Sequence, residues 1–319
     1  SEKLSAHYEL PPLVQGAVVL AVGSSFPELS TAVLATLLHG EFELGVAAIT
    51  GSALFNVLMI PALARLGAEE DLSSTRDLVY KEIQFYLLSI AALLLSFAFA
   101  VIYNPVGDAG GPVTGELTRG IALFPFALYL FYVYLQYQDT QDHEPETAPE
   151  RVSAPKQFGI LAGGLTIILV GVEGLVRSAI GFGSVLGTPS FLWGVTVVAV
   201  GTSVPDTFVS VRAAREGKAI ASVANVLGSN VFDLLVCIPA GVLVAGTAVV
   251  NFSVGAPMMG VLTLATLIVF LVMRSHMNLT TAEAWGLIVI YLIFVLWMGV
   301  ETFGAVDLLP NLPPAASGS

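Results

Sequence analysis

An all-α polytopic membrane bundle built from two inverted repeats is the fold this sequence predicts, on three observations. Of its 319 residues 55% are hydrophobic and only 11% charged, with a mean hydropathy of +0.84; soluble domains carry about 25% charged residues. Nine apolar segments are each long enough to cross roughly 30 Å of hydrocarbon as a helix. A distinctive pair of polar motifs occurs twice, five of those segments apart.

The nine segments run approximately 11–38, 44–66, 83–103, 117–137, 157–180, 190–214, 220–248, 255–273 and 283–303. With 31 Gly and 17 Pro in so apolar a chain, interrupted helices are expected. Residues 138–156 (QDTQDHEPETAPERVSAPK) are polar, charged and Pro-containing, and read as a linker between a first repeat, 1–137, and a second, 157–306. The remainder, 307–319, ends in PNLPPAASGS and reads as a disordered tail. Lys plus Arg number 12 against 24 Asp plus Glu, a net charge of −12, which argues against nucleic acid as a partner. The single cysteine, Cys237, excludes a disulfide framework and reads as a core residue.

Orientation follows from the basic residues. If the nine segments alternate sides, Lys3, Arg65, Arg76, Lys81, Arg151, Lys156, Arg212, Arg215, Lys218 and Arg274 share one face, leaving Arg119 and Arg177 on the other. The positive-inside rule makes the first face cytoplasmic, with the linker inside and the C-terminus outside a cell membrane.

The repetition is specific. Gly16-AVVLAVGSSFP-Glu28 aligns with Gly194-VTVVAVGTSVP-Asp206 at an offset of 178, with seven of 13 positions identical. Gly51-SALFNV-Leu58 aligns with Gly228-SNVFDL-Leu235 at an offset of 177. Equivalent helices lie an odd number of crossings apart, so the two repeats are upside-down relative to each other. Inverted repeats with Pro-interrupted helices at matching places mark a secondary transporter with its site at the bilayer midplane. The helix 157–180 has no counterpart ahead of Gly16. A tenth helix, removed, cleaved or supplied by a separate N-terminal segment, is therefore expected before Ser1, where no signal peptide is visible.

The chemistry of the motifs points to a hard cation. Pro27 and Pro205 each lack an N–H and free carbonyls upstream, around 21–24 and 199–202. Those carbonyls, the adjacent hydroxyls and a carboxylate one residue past each proline make an oxygen cage. Such a cage suits Na⁺, or Ca²⁺ with its roughly 6–8 oxygens at 2.3–2.6 Å. Ser52 and Asn56, like Ser229 and Asp233, are four apart and share a helix face. Carboxylates deep in apolar segments are functional by default, which singles out Glu28, Asp206 and Asp233. Asn56 alone could simply join helices. Ser24, Ser25, Ser52, Thr202, Ser203 and Ser229 could bond back to their own backbone, and are singled out by the repeat. Glu173 and Arg177, at i and i+4, read as a structural ion pair. His7, His39, His143 and His276 read as interfacial.

At these residues the chain resembles the sodium/calcium exchanger family, part of the cation/Ca²⁺ antiporter superfamily. GSSFPEL with GSALFNVL, and GTSVPDT with GSNVFDLL, are similar to its two signature repeats, and GVEGLVRSA (171–179) to the helix before the second. The resemblance implies a ten-helix inverted bundle, not an enzyme, in which Na⁺ influx drives Ca²⁺ export and no cofactor is needed. It implies that Glu28 and Asp206 are shared carboxylates and that Ser24, Ser25, Ser52, Thr202, Ser203 and Ser229 are oxygen ligands. The carbonyls of Ala21 and Ala199 would contribute, and Asn56 and Asp233 would line the middle. Pro205-Asp206-Thr207 and Phe232-Asp233 also resemble the potassium-dependent branch, which makes K⁺ a further candidate ion. Ile220 departs from the family, which usually has an aspartate there.

The expected mechanism is antiport by competition. Three acids can be neutralised by one divalent or several monovalent ions, and are costly to leave bare in a low-dielectric site. Proton/calcium exchange, a cation channel and an intramembrane aspartyl protease dyad are the alternatives. The dyad explains neither the prolines nor the inversion.

Overall fold

The computed structural model describes residues 21–69, 71–76, 78–107, 111–140, 154–303 and 308–309. Hydrocarbon offers no hydrogen bonds, so each apolar segment must satisfy its backbone internally and folds as a helix. In chain order the elements are α1 (Ala21–Ser24), α2 (Phe26–His39), α3 (Phe42–Gly67), β1 (Leu72–Ser73), α4 (Ile83–Tyr103), β2 (Pro105–Val106), β3 (Thr114–Thr118) and α5 (Arg119–Thr140). The second half runs α6 (Ala154–Leu186), α7 (Ser190–Trp193), α8 (Ala199–Thr202), α9 (Val204–Arg215), α10 (Ala219–Phe232), α11 (Ile238–Ala245), β4 (Thr247–Asn251), α12 (Phe252–His276), β5 (Asn278–Leu279) and α13 (Thr281–Thr302). Single π-helical turns enter α4 (Leu78–Glu82), join α7 to α8 (Gly194–Val198) and join α10 to α11 (Asp233–Cys237).

Among the described residues seven helices are long and apolar enough to span a membrane, and the bent stretch Ser190–Arg215 makes an eighth. Of the ninth expected segment, 11–38, only the part from Ala21 onward is described. The linker residues 141–153 and most of the tail also lie outside the described residues, as do Lys3, His7, His143 and Arg151. One span is longer than its hydropathy suggested. α6 has 33 residues, about 50 Å at 1.5 Å per residue, and stops at Gly187, whose φ of +64° places it in the left-handed region.

Two helices form the centre. In α3 and in the α10–α11 span 89% of the apolar window is buried, against 11% for α6, which lies at the periphery. Small side chains let α3 sit there. A Cβ on Gly51 would stand 2.2 Å from the Val195 carbonyl oxygen and 2.8 Å from Ala199 Cβ, so the first repeat meets the second backbone to backbone. Gly51→Ala is therefore expected to destabilise the protein by about 1–3 kcal/mol, since a carbonyl cannot swing aside. A lowered Tm in detergent would register this, with Gly260→Ala, where a methyl meets nothing within 4 Å, as the neutral control.

Short strands add to the predicted all-helical architecture. β1 pairs antiparallel with β5 (Leu72 opposite Leu279), and β2, β3 and β4 form a three-stranded sheet with Gly115 opposite Val250. Each sheet joins a connection of the first repeat to one of the second, so inter-helix backbone is satisfied across the repeats. The ends differ in charge. Arg215 donates to the Gly67 carbonyl at 3.3 Å and Arg65 pairs with Asp71 at 2.6 Å, which gathers the ends of α3 and α9 at one basic end. Arg119 donates to the Leu243 carbonyl at the other. His39, at the end of α2, contacts Glu173 of α6 at 3.1 Å, and Glu173 also pairs with Arg177 at 2.6 Å. The expected i,i+4 pair thus extends to a second helix.

Candidate cation site

Two helices break where the prolines stand. Pro27 and Pro205 occupy the first turns of α2 and α9, where a missing N–H costs nothing. Ser25 and Ser203 sit at the breaks, and the second bends by 43°. Both half-helices begin in the protein interior with an acid in the first turn, Glu28 and Asp206. The positive end of each helix dipole favours negative charge there.

α3 and α10 face these breaks. Ser52 donates to Glu28 Oε1 at 3.1 Å, and its repeat equivalent Ser229 donates to Asp206 Oδ1 at 3.2 Å. Each of these serines also meets a hydroxyl of the other repeat's break: Ser52 Oγ lies 2.7 Å from Ser203 Oγ, and Ser229 Oγ 3.4 Å from Ser24 Oγ. The serine–carboxylate bond recurs in both repeats, but the hydroxyl contacts do not correspond, since the repeat equivalent of Ser203 is Ser25 and Ser229 meets Ser24 instead. Glu28 is 1% exposed, and Asp206 and Asp233 are 0% exposed.

The repeats differ again at the centre. Asn56 uses both amide hydrogens, donating to Asp206 Oδ2 at 3.2 Å and to Asn230 Oδ1 at 3.0 Å. Its equivalent Asp233 has no amide to give. Instead the Asp233 carboxylate, like that of Asp206, is a like charge buried within electrostatic range of Glu28. Unpartnered buried atoms gather in this half: Glu28 Oε2, Ser25 Oγ and Asp233 Oδ2, with Asn56 Oδ1 beside them. Buried oxygens without donors are costly. Three of these four are pure acceptors when the acids are ionised, so a cation suits them.

The expected oxygen set is otherwise distributed as follows. Thr202 donates to the Ala199 carbonyl at 3.2 Å, and Ser203 Oγ lies 2.8 Å from the same atom. The Ala199 carbonyl also accepts the Ser203 N–H at 3.2 Å, so it is occupied by protein donors here. Ala21 opens the described chain. Among the described residues no three His, Cys, Asp or Glu side chains converge tightly enough to hold a metal. The carboxylates are interleaved with hydroxyls and amides.

Several residues of this region have no counterpart in the repeat pattern and were missed for that reason. Asn230 stands where the first repeat has Ala53, and donates to the Ala53 carbonyl at 3.2 Å. Tyr86 and Tyr129, on α4 and α5, are buried and lie within electrostatic range of Asp233. Cys237 is a core residue, as expected, and its thiol lies 3.7 Å from Asp233 Oδ1.

Comparison with known proteins bears on the family and the fold. A family profile described as sodium/calcium exchanger protein matches residues 1–138 and 156–300. The inner membrane protein YrbG of Escherichia coli is 27% identical over 240 residues, covering 72% of this chain and 68% of YrbG. Human sodium/potassium/calcium exchanger 5 is 49% identical over 53 residues, 17% of this chain and 11% of that protein. A structure of the sodium-calcium exchanger NCX_Mj soaked with Na⁺ and Sr²⁺ superposes with a TM-score of 0.62 at 24% identity, over 92% of this chain and 90% of that one. The fold is therefore that of a solved exchanger. With the profile covering nearly the whole chain, this integral membrane protein belongs to the sodium/calcium exchanger family of cation antiporters.

Proposed function

We propose that the protein exchanges Na⁺ for Ca²⁺ across a cell membrane by alternating access to the site between the two broken helices. One observation carries this reading: the clustering of the unpartnered oxygens Glu28 Oε2, Ser25 Oγ and Asp233 Oδ2 beside two further ionisable or amide groups, all buried. In this reading Glu28 and Asp206 serve both ions. Ser24, Ser25, Ser52, Thr202, Ser203 and Ser229 supply hydroxyl oxygens, and Asn56 and Asp233 line the centre. The carbonyls of Ala21 and Ala199 complete the set, the second by exchanging its present donors for an ion. The basic end faces the cytoplasm, following the distribution of Lys and Arg.

Competition accounts for coupling. One divalent ion or several monovalent ions can neutralise the same carboxylates, and bare buried charges disfavour movement of the unloaded carrier. The test is calcium-45 uptake into proteoliposomes under outward Na⁺, K⁺ or H⁺ gradients. Uptake driven by Na⁺ is expected. Uptake driven by H⁺ alone would overturn the ion assignment in favour of proton/calcium exchange, and a K⁺ requirement added to Na⁺ would extend it to the potassium-dependent branch.

A further inference from the structure

The two repeats treat the approach to their acids differently. One turn beyond Asp206 along α9 lies Ser210, and one turn before Ser229 along α10 lies Asn225. Each is thus displaced about 6 Å toward the basic end. Asn225 donates to Ser210 Oγ at 3.2 Å, and its side chain also interacts with the Asp206 carboxylate. Asn225 is only 8% exposed and Ser210 is 0% exposed, yet Asn225 Oδ1 has no hydrogen-bond partner. Other buried helix hydroxyls, such as Thr31 and Thr36, bond back to the carbonyl four residues earlier. Ser210 instead turns to Asn225. Ser222, a further turn toward the basic end on α10, is also buried.

At the equivalent places the first repeat has Ala32, Ala48 and Gly45. There the helices close up: a Cβ on Gly45 would stand 3.3 Å from Ala32 Cα. A polar ladder therefore leads from Asp206 toward the basic end, while the corresponding path from Glu28 toward the other end is sealed by methyl groups and backbone.

We propose that Asn225 Oδ1, brought round by a flip of the amide whose Nδ2 now faces Ser210 and Asp206, and Ser210 Oγ, with the shared carboxylate of Asp206, form a second binding position for a monovalent cation on the path between the central site and the basic end. One carboxylate with neutral oxygens suits Na⁺ better than a divalent ion, which needs more charge. The position passes the ion to or from the central cage and sets the Na⁺ affinity on that face alone. The assignment of Na⁺ as its occupant rests on the exchange reading above.

The test uses the full chain in right-side-out and inverted membrane vesicles. Ca²⁺ flux is titrated with Na⁺ at each face in turn, for wild type, Asn225→Ala, Ser210→Ala and Asn225→Asp. Asn225→Ala is expected to raise the half-saturating Na⁺ at the basic-end face by about tenfold, which corresponds to ~1.4 kcal/mol, with the opposite face changed less than about twofold. Ser210→Ala should act in the same sense more weakly. Asn225→Asp, which keeps the oxygens and adds charge, should restore Na⁺ affinity at that face. Equal shifts at both faces would overturn the proposal and leave the pair as support for Asp206, and no shift in either alanine variant would reduce it to a helix–helix hydrogen bond. If wild type shows no Na⁺-driven flux, the exchange reading fails, and the second position is then judged by thermal stabilisation with Na⁺ and with K⁺. Stabilisation by either that Asn225→Ala loses and Asn225→Asp keeps would support a monovalent site; stabilisation unaffected by Asn225→Ala, or none in wild type, would overturn it.

Discussion

Glu28→Gln is expected to abolish Na⁺-driven Ca²⁺ uptake while leaving a folded, monodisperse protein. Gln keeps the volume of Glu and an acceptor for the Ser52 hydroxyl, which donates to Oε1 at 3.1 Å, so the packing around α2 and α3 has no reason to change. What is lost is one of the charges that hold the ion. Removing one partner of a buried charge pair typically costs ~3–5 kcal/mol, about 10²–10⁴-fold in affinity. Two measurements check this: the flux itself, and thermal stabilisation by Ca²⁺. A ligand at 100 times its Kd stabilises by about 2.7 kcal/mol, and that increment should vanish in the variant. Without ions the variant should melt no lower than wild type, because an unpartnered buried carboxylate oxygen has been made neutral. Asp206→Asn should behave alike in flux. Full Na⁺-dependent flux in Glu28→Gln would show that the carboxylate beyond Pro27 is not an ion ligand.

How much of this was legible before the fold was known depends on which residues repeat. The helical segments are visible because hydrocarbon forces apolar runs into helices, and the duplicated Gly-x-Ser-x-Pro-acid pattern exposes both broken helices. The hydrogen bonds from Ser52 to Glu28 and from Ser229 to Asp206 follow from the same pattern. Other features carry no such signal. Asn230, Asn225 and Ser210 align with Ala53, Ala48 and Ala32, so comparing repeats hides them, and an Asn or Ser in a membrane helix is by itself more often a joint between helices. Tyr86 and Tyr129 come from helices with no polar motif and approach Asp233 only through packing. The β1–β5 and β3–β4 pairings bring together residues some 130 to 210 positions apart, a distance over which two- to five-residue strands leave no pattern. The length of α6 was underestimated because Gly181, Gly183 and Ser184 dilute its hydropathy without ending its helix.

The asymmetry between Asn56 and Asp233 leads to the second large effect. With Glu28, Asp206 and Asp233 all ionised, the centre carries three negative charges, and one Ca²⁺ leaves one of them uncompensated. A monovalent cation or a proton must then accompany Ca²⁺. Asp233→Asn gives the second repeat the residue that the first already has at that position, and removes one of the two like charges facing Glu28. The two carboxylates that remain match a single divalent ion. Ca²⁺ uptake by wild type, measured at fixed Na⁺ while K⁺ is varied and again while pH is varied, should therefore depend on one of those ions. The dependence should fall at least about tenfold, equivalent to ~1.4 kcal/mol of coupling, in Asp233→Asn. Exchange of Na⁺ for Ca²⁺ should persist in the variant, since Ser52, Ser229 and Asn56 keep their hydrogen bonds to Glu28 and Asp206. Two results would contradict this charge balance. Retention of the wild-type K⁺ or pH dependence would mean that Asp233 is already neutral in the cycle, held so by its contact with Cys237 and its burial. Complete loss of Ca²⁺ flux would mean that its Oδ2 is an indispensable ligand, and that the like charges around Glu28 are tolerated because the ion cannot be held without all three.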